Sequence, residues 1–277
     1  MPFGRLGEPW QESSRTRESC RPRELAGGLL RYESMDHRIE VARACRILAH
    51  QGLVSDVLGH VSLRISPTQY LVRCRGPQER GLLFTETRDI HAIDLSATDP
   101  STAQLPGGYS APNELPIHAE LLRARPEVNA VVHAHPPAVV TASLAGLALL
   151  PIVGAYNIPA ARLAAEGIPT YLRAVLIRRD ELAHDMMATM GSHPTCVLHG
   201  HGLVTTGATL AQAVLRALDV NELARLSLAV VDAGARPVAI PDDDLAELPD
   251  LGVGFNDAAR WRYLVAKLQH DGLDVTA

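Results

Sequence analysis

Residues 131–136 read Val131-Val132-His133-Ala134-His135-Pro136. The apolar run at 128–132 predicts a short buried strand, and it ends in two histidines one residue apart. Residues i and i+2 of a strand share a face, so His133 and His135 project together. Two imidazoles side by side make half of a divalent-metal site. An isolated His-x-His is more often a strand end with two exposed rings, so the rest of the chain decides its meaning.

Upstream, Pro112-Asn113-Glu114-Leu115-Pro116-Ile117-His118 opens a helix that Pro126 closes. Asn113 suits a cap and Pro116 a first turn. An acid such as Glu114 is favoured there by the helix dipole alone. His118 shares its helical face at i+4. Downstream, residues 138–144 predict a helix, 147–153 a buried run, 171–177 an apolar segment and 181–190 a helix. Tyr156 lies in Gly154-Ala155-Tyr156-Asn157, where a tyrosine can donate or orient a proton or simply pack. A second histidine cluster, Leu198-His199-Gly200-His201-Gly202-Leu203, reads as a strand, a glycine-rich break and a return. Thr209 then caps a long helix over 210–231. Asp242-Asp243-Asp244 lies in a polar loop, and residues 256–268 form a final amphipathic helix.

In the first half, residues 36–51 have helical spacing and Gly52 is a natural stop. From His60 the alternation predicts a strand, with Ser62 and Arg64 opposite Val61, Leu63 and Ile65. Gly59 permits a close backbone approach, and His60 also suits a strand-end histidine facing water. Further strands are expected at 70–74 and 90–95, around a short apolar run at 82–84. Arg64, Arg73, Arg75, Arg80 and Arg88 crowd this region. Such an excess can hold a substrate carboxylate by bidentate pairing, with Arg75 and Arg80 the candidates. Each arginine taken singly is more often a solvated strand-edge charge.

The 277 residues suit one large domain or two small ones. A net charge of -5 argues against a nucleic-acid partner, and no apolar run has the length of a membrane span. Cys20, Cys45, Cys74 and Cys196 are scattered without framework spacing, which fits free thiols in a reducing cytoplasm. Residues 1–34 mix arginine and glutamate with Pro, Gly and Ser, and lack a secretory apolar core. A disordered tail is expected there, followed by a catalytic domain over 35–277, with Met35 a candidate biological start.

Together, Glu114, His133-Ala134-His135-Pro136, Gly200-His201-Gly202 and Gly207-Ala208-Thr209-Leu210 resemble the class II aldolase/adducin family. The resemblance covers roughly residues 39–268. It implies an α/β fold of αβα layers around a central, largely antiparallel sheet. It implies one divalent metal ion per subunit on His133, His135 and His201, with Glu114 as ligand or acid/base. Zinc is the expected ion, and manganese, iron or cobalt also suit three imidazoles. His199 is the less favoured third histidine. Homotetramers with active sites at subunit interfaces are a further implication.

The family's sugar-phosphate enzymes hold phosphate with Gly-Asn-x-Ser and with small hydroxylated residues before the glutamate. Here those positions read Gly59-His60-Val61-Ser62 and Ala111-Pro112-Asn113, which argues against a phosphorylated substrate. Cys45-Arg46-Ile47-Leu48-Ala49-His50, Gly59-His60-Val61-Ser62, Arg75-Gly76 and Gly81-Leu82-Leu83-Phe84-Thr85 are similar instead to a branch of decarboxylases of aromatic catabolism, of the dihydroxyphthalate type. The resemblance therefore implies a small carboxylate substrate. His60, Glu114 and Tyr156 are candidates for proton transfer, and Ser62, Arg75 and Arg80 for substrate binding. The alternatives are an aldolase or epimerase of a non-phosphorylated hydroxy-carbonyl compound, and an adducin-like binding module without catalysis.

Overall fold

Seven strands form one sheet in the order β3-β2-β1-β4-β7-β6-β5. They are β1 (His60–Arg64), β2 (Gln69–Arg73), β3 (Ile90–Asp94), β4 (Ala130–Ala134), β5 (Thr170–Tyr171), β6 (Thr195–Leu198) and β7 (Gly202–Gly207). The computed structural model describes residues 29–96 and 105–275, with side chains from residue 37 onward. Every neighbouring pair is antiparallel except β5 with β6. The expected αβα arrangement, with a largely antiparallel centre, is the observed one.

The layers follow from strand periodicity. On β4, Ala130, Val132 and Ala134 join one core, and Val131 joins the other. The first core is completed by α1 (Leu29–His50), α3 (Pro137–Leu144), α6 (Leu210–Asp232) and α8 (Arg260–His270). The second is completed by α2 (Leu115–Ala124) and α5 (Asp180–Met190). A short α4 (Ile158–Ala164) packs Ala160 and Ala164 on Leu223 of α6. Leu115 and Ile117 are fully buried and anchor α2 by about 1.5–3 kcal/mol each. That anchoring places Glu114 and His118 over the sheet.

Register brings the site together. His60 pairs with His133 across β1 and β4, and Ala134 pairs with Leu203 across β4 and β7. The start of β1, the end of β4 and the start of β7 therefore lie together at one end of the central strands.

Several local expectations differ from the fold. The 82–84 run is one 3-10 turn, and of the 171–177 segment only Tyr171 pairs as strand, at the end of β5. Leu172 and Leu176 beyond it are exposed. Residues 147–153 are irregular and partly buried, in a segment where Pro151 offers no N–H to a ladder. The acidic stretch is helical as α7 (Asp242–Glu247), and a π-helical turn, Gly254–Ala259, precedes α8. The expected tail lies outside the described residues up to residue 28, and the backbone from Leu29 already belongs to α1.

Candidate metal centre

Glu114 is the residue at which α2 begins, yet its carboxylate caps nothing in its own helix. Oε1 accepts the Ile177 N–H at 2.9 Å. Oε2 lies 3.1 Å from His133 Nε2 and 3.5 Å from His201 Nε2. His135 Nε2 is 2.8 Å from His133 Nε2. The donor atoms of Glu114, His133, His135 and His201 all lie within 4.8 Å of one another. His199 is outside this group.

Each donor is delivered by a different local device. β4 projects His133 and carries His135 just past its end. His201 comes from the turn between β6 and β7, pinned where the Gly200 N–H donates to Ser143 Oγ on α3 at 3.0 Å. Gly202 makes that approach feasible, because a Cβ there would sit 2.2 Å from the Ala134 carbonyl oxygen. His133 Nδ1 lies 3.0 Å from the Leu203 carbonyl. A carbonyl only accepts, so Nδ1 carries the proton and Nε2 keeps its lone pair.

The electrostatics agree with a cation-binding set. Burial alone would raise the Glu114 carboxyl, but the His133 and His201 imidazoles outweigh it and hold it far below the usual carboxylate range. Burial, then the neighbouring His133 and His201 rings, push the His135 imidazole down to about 3. One ionised carboxylate converging with imidazole nitrogens is a donor set that fits a divalent cation of the zinc type.

The other candidate residues divide. His60 is buried, with its ring centroid 5.0 Å from that of His133. Its Nδ1 lies 2.6 Å from His118 Nε2, and His118 Nδ1 lies 2.6 Å from Ser62 Oγ. Burial, then the neighbouring His133 ring, pushes His118 down to about 3. Ser62, expected at the substrate, is fully buried and its hydroxyl is engaged by His118. Arg75 is half-buried, and its charge is among those disfavouring protonation of His135. Arg80 is exposed and paired with Glu86. Tyr156 is 72% exposed and donates to Glu222 Oε1 at 3.0 Å, outside the cluster. Arg64 donates to the carbonyls of Leu122 in α2 and Val128 in the loop before β4, and Arg73 pairs with Glu79. The sequence marks His118 only as a helical neighbour of Glu114. That i+4 spacing is the available signal for a role at the site.

An αβα sheet protein with a Glu/His₃ cluster at one end of its central strands has the class II aldolase architecture. The chain belongs to that family: the family described as Class II Aldolase and Adducin N-terminal domain matches residues 39–228. The 3,4-dihydroxyphthalate decarboxylase of Arthrobacter keyseri is 55% identical over 231 residues, which span 83% of this chain and 93% of that enzyme. The enzyme of the same name from Rhodococcus jostii is 46% identical over 230 residues, 83% of this chain and 95% of that one. Among solved structures, an aldolase II superfamily protein from Pseudomonas syringae superposes with a TM-score of 0.72 at 20% identity. It covers 87% of this chain and 95% of that chain, a likeness of fold.

Proposed function

We propose that this protein is a divalent-metal-dependent carboxy-lyase that removes CO2 from 3,4-dihydroxyphthalate or a closely related catechol-type acid. The observation that carries the reading is the 55% identity with a 3,4-dihydroxyphthalate decarboxylase over 93% of that enzyme's length. The Glu114, His133, His135 and His201 cluster supports it.

Losing CO2 from a ring carbon leaves an electron pair there. A divalent ion held by His133, His135 and His201, with Glu114 beside them, would supply a Lewis acid for vicinal substrate oxygens and so an electron sink. The protein's own groups do the rest. Glu114, kept ionised by its histidine neighbours, serves as ligand or base. His60, with Nδ1 taken by His118, offers Nε2 for proton transfer to the carbon. Arg75 is assigned to the carboxylate that stays, since a guanidinium remains charged at every working pH. Tyr156, exposed on one chain, is assigned to a subunit boundary.

The finer parts of the reading are zinc as the ion, a homotetramer, a cytoplasmic location and a role in breaking down aromatic compounds. Exposed Tyr156, Val253 and Phe255 support association. Cys45, Cys74 and Cys196 are free thiols, as expected of a reducing compartment. No described helix is long and apolar enough to cross a membrane.

The test is incubation of the zinc-loaded chain with 3,4-dihydroxyphthalate, following CO2 and the dihydroxybenzoate left behind. Stoichiometric release supports the reading. No release, with retro-aldol cleavage of a hydroxy-keto acid instead, overturns it.

A further inference from the structure

We propose that His118 is a positioning residue: anchored on Ser62, it fixes the ring orientation and the tautomer of His60, and thereby the character of the Nε2 atom that His60 offers to substrate. The inference rests on the reading of His60 given above and adds no step to the reaction.

The geometry is specific. His60 and Ser62 are two residues apart on β1 and share a face. One ring from α2 spans both, with His118 Nε2 at 2.6 Å from His60 Nδ1 and His118 Nδ1 at 2.6 Å from Ser62 Oγ. His118 and Ser62 are fully buried, and His60 nearly so. Both nitrogens of a buried helix histidine are thus spent on a strand that carries a candidate site residue. A buried polar ring needs partners, but a single partner would satisfy that need less completely and would not link two residues.

Hydrogen-bond bookkeeping gives the consequence. A neutral His118 has one N–H. With that proton on Nε2, His118 donates to His60 Nδ1 and the Ser62 hydroxyl donates to His118 Nδ1. The His60 proton then sits on Nε2, as a donor toward the site. With the proton on His118 Nδ1, it donates to Ser62, and His118 Nε2 accepts from His60 Nδ1–H. The His60 Nε2 is then a bare lone pair. The direction of the Ser62 hydroxyl and the character of His60 Nε2 are therefore locked together, and the change between them moves tautomers without changing net charge.

The side-chain amide nitrogen of glutamine reaches the place of a histidine Nε2, and that of asparagine the place of Nδ1. His118→Gln therefore keeps the contact to His60, and His118→Asn keeps only the contact to Ser62. In the zinc-loaded full chain, each variant is expected to hold one zinc per chain. With 3,4-dihydroxyphthalate, His118→Asn should lower kcat by about a hundredfold with KM little changed, the scale of a misplaced reacting group. His118→Gln should restore most of kcat. Nitrogen-15 spectra of labelled histidine should show a single His60 tautomer in the wild type. Averaged signals are expected in His118→Asn and in Ser62→Ala, which removes only the anchor. Equal kcat in the two His118 variants, or His60 signals indifferent to all three substitutions, would overturn the proposal. If His118→Asn does not fold, the spectra of Ser62→Ala decide alone. If the wild type releases no CO2, the functional reading falls, and the spectra still decide whether His118 sets the His60 tautomer.

Discussion

His133 donates its Nδ1–H to the carbonyl oxygen of Leu203 at 3.0 Å, and this leaves Nε2 as a lone pair 3.1 Å from the Glu114 carboxylate. The tautomer is set by β7, which is 70 residues away in the chain. A ligand histidine oriented in this way presents one atom in one direction, so its removal cannot be compensated by a ring turning over.

His133→Ala and His135→Ala are accordingly expected to lose bound metal. Elemental analysis after dialysis should fall from about one ion per wild-type chain to near zero, with the circular dichroism spectrum kept. Full occupancy in either variant would remove the substituted residue from the ligand set and overturn the three-histidine assignment.

Gly202→Ala tests the close approach of β7 to β4. The added Cβ would meet the Ala134 carbonyl oxygen and lie 3.0 Å from Cδ2 of His135. Overpacking of this kind costs about 1–3 kcal/mol, and here the displaced atoms carry the site. A lower melting temperature together with weakened zinc binding is expected. An unchanged metal affinity would show that His201 reaches the cluster without this contact.

The pH dependence of stability follows from the buried imidazoles. His118 has an ordinary value of 6.5 and sits near 3 in the fold, through burial first and the neighbouring His133 ring second. The unfolded chain therefore takes up its proton first. This stabilisation is complete above pH 6.5 and is lost as pH falls toward 3, by about 1.4 kcal/mol for each pH step of one between those values. Carboxylates such as Glu114 begin to act only near their ordinary 4.5. Urea midpoints of metal-free protein should fall between pH 6.5 and 4.5, and His118→Gln should flatten that slope. A midpoint independent of pH in this window would contradict a neutral buried His118.

Sequence proximity groups Arg75 with Arg80, and their settings separate them. Arg75 is half-buried with its charge felt at His135, whereas Arg80 is exposed and paired with Glu86. Losing a charge-assisted bond to substrate costs about 1.5–3 kcal/mol, so Arg75→Ala should raise KM for the dicarboxylate by about tenfold to a hundredfold. A smaller rise is expected for Arg80→Ala. Steady-state kinetics on both variants check the ordering, and a reversed order would move the carboxylate site outward.

Much of the architecture is legible locally. The two-residue period of β4 separates Val131 from Val132, and the fold puts them in different cores. Thr209 caps α6 as expected, its Oγ1 accepting the Gln212 N–H at 3.2 Å. The apolar runs at 147–153 and 171–177 mislead because hydrophobicity alone does not supply a pairing partner. Leu172 and Leu176 are left exposed beyond the end of β5.

Sequence alone determined which residue types share a strand face or a helix turn, because those periods are properties of the backbone. It therefore set His133 beside His135, His60 beside Ser62, and Glu114 one turn from His118. Tertiary structure alone decided which of these local pairs meet. The antiparallel register of β1, β4 and β7 carries His60, His133 and Leu203 to one end of the central strands. The seat of α2 over the second core adds Glu114 and turns His118 inward to bridge His60 and Ser62. Those contacts join residues far apart in the chain, so they depend on the packing of whole layers and not on any local pattern.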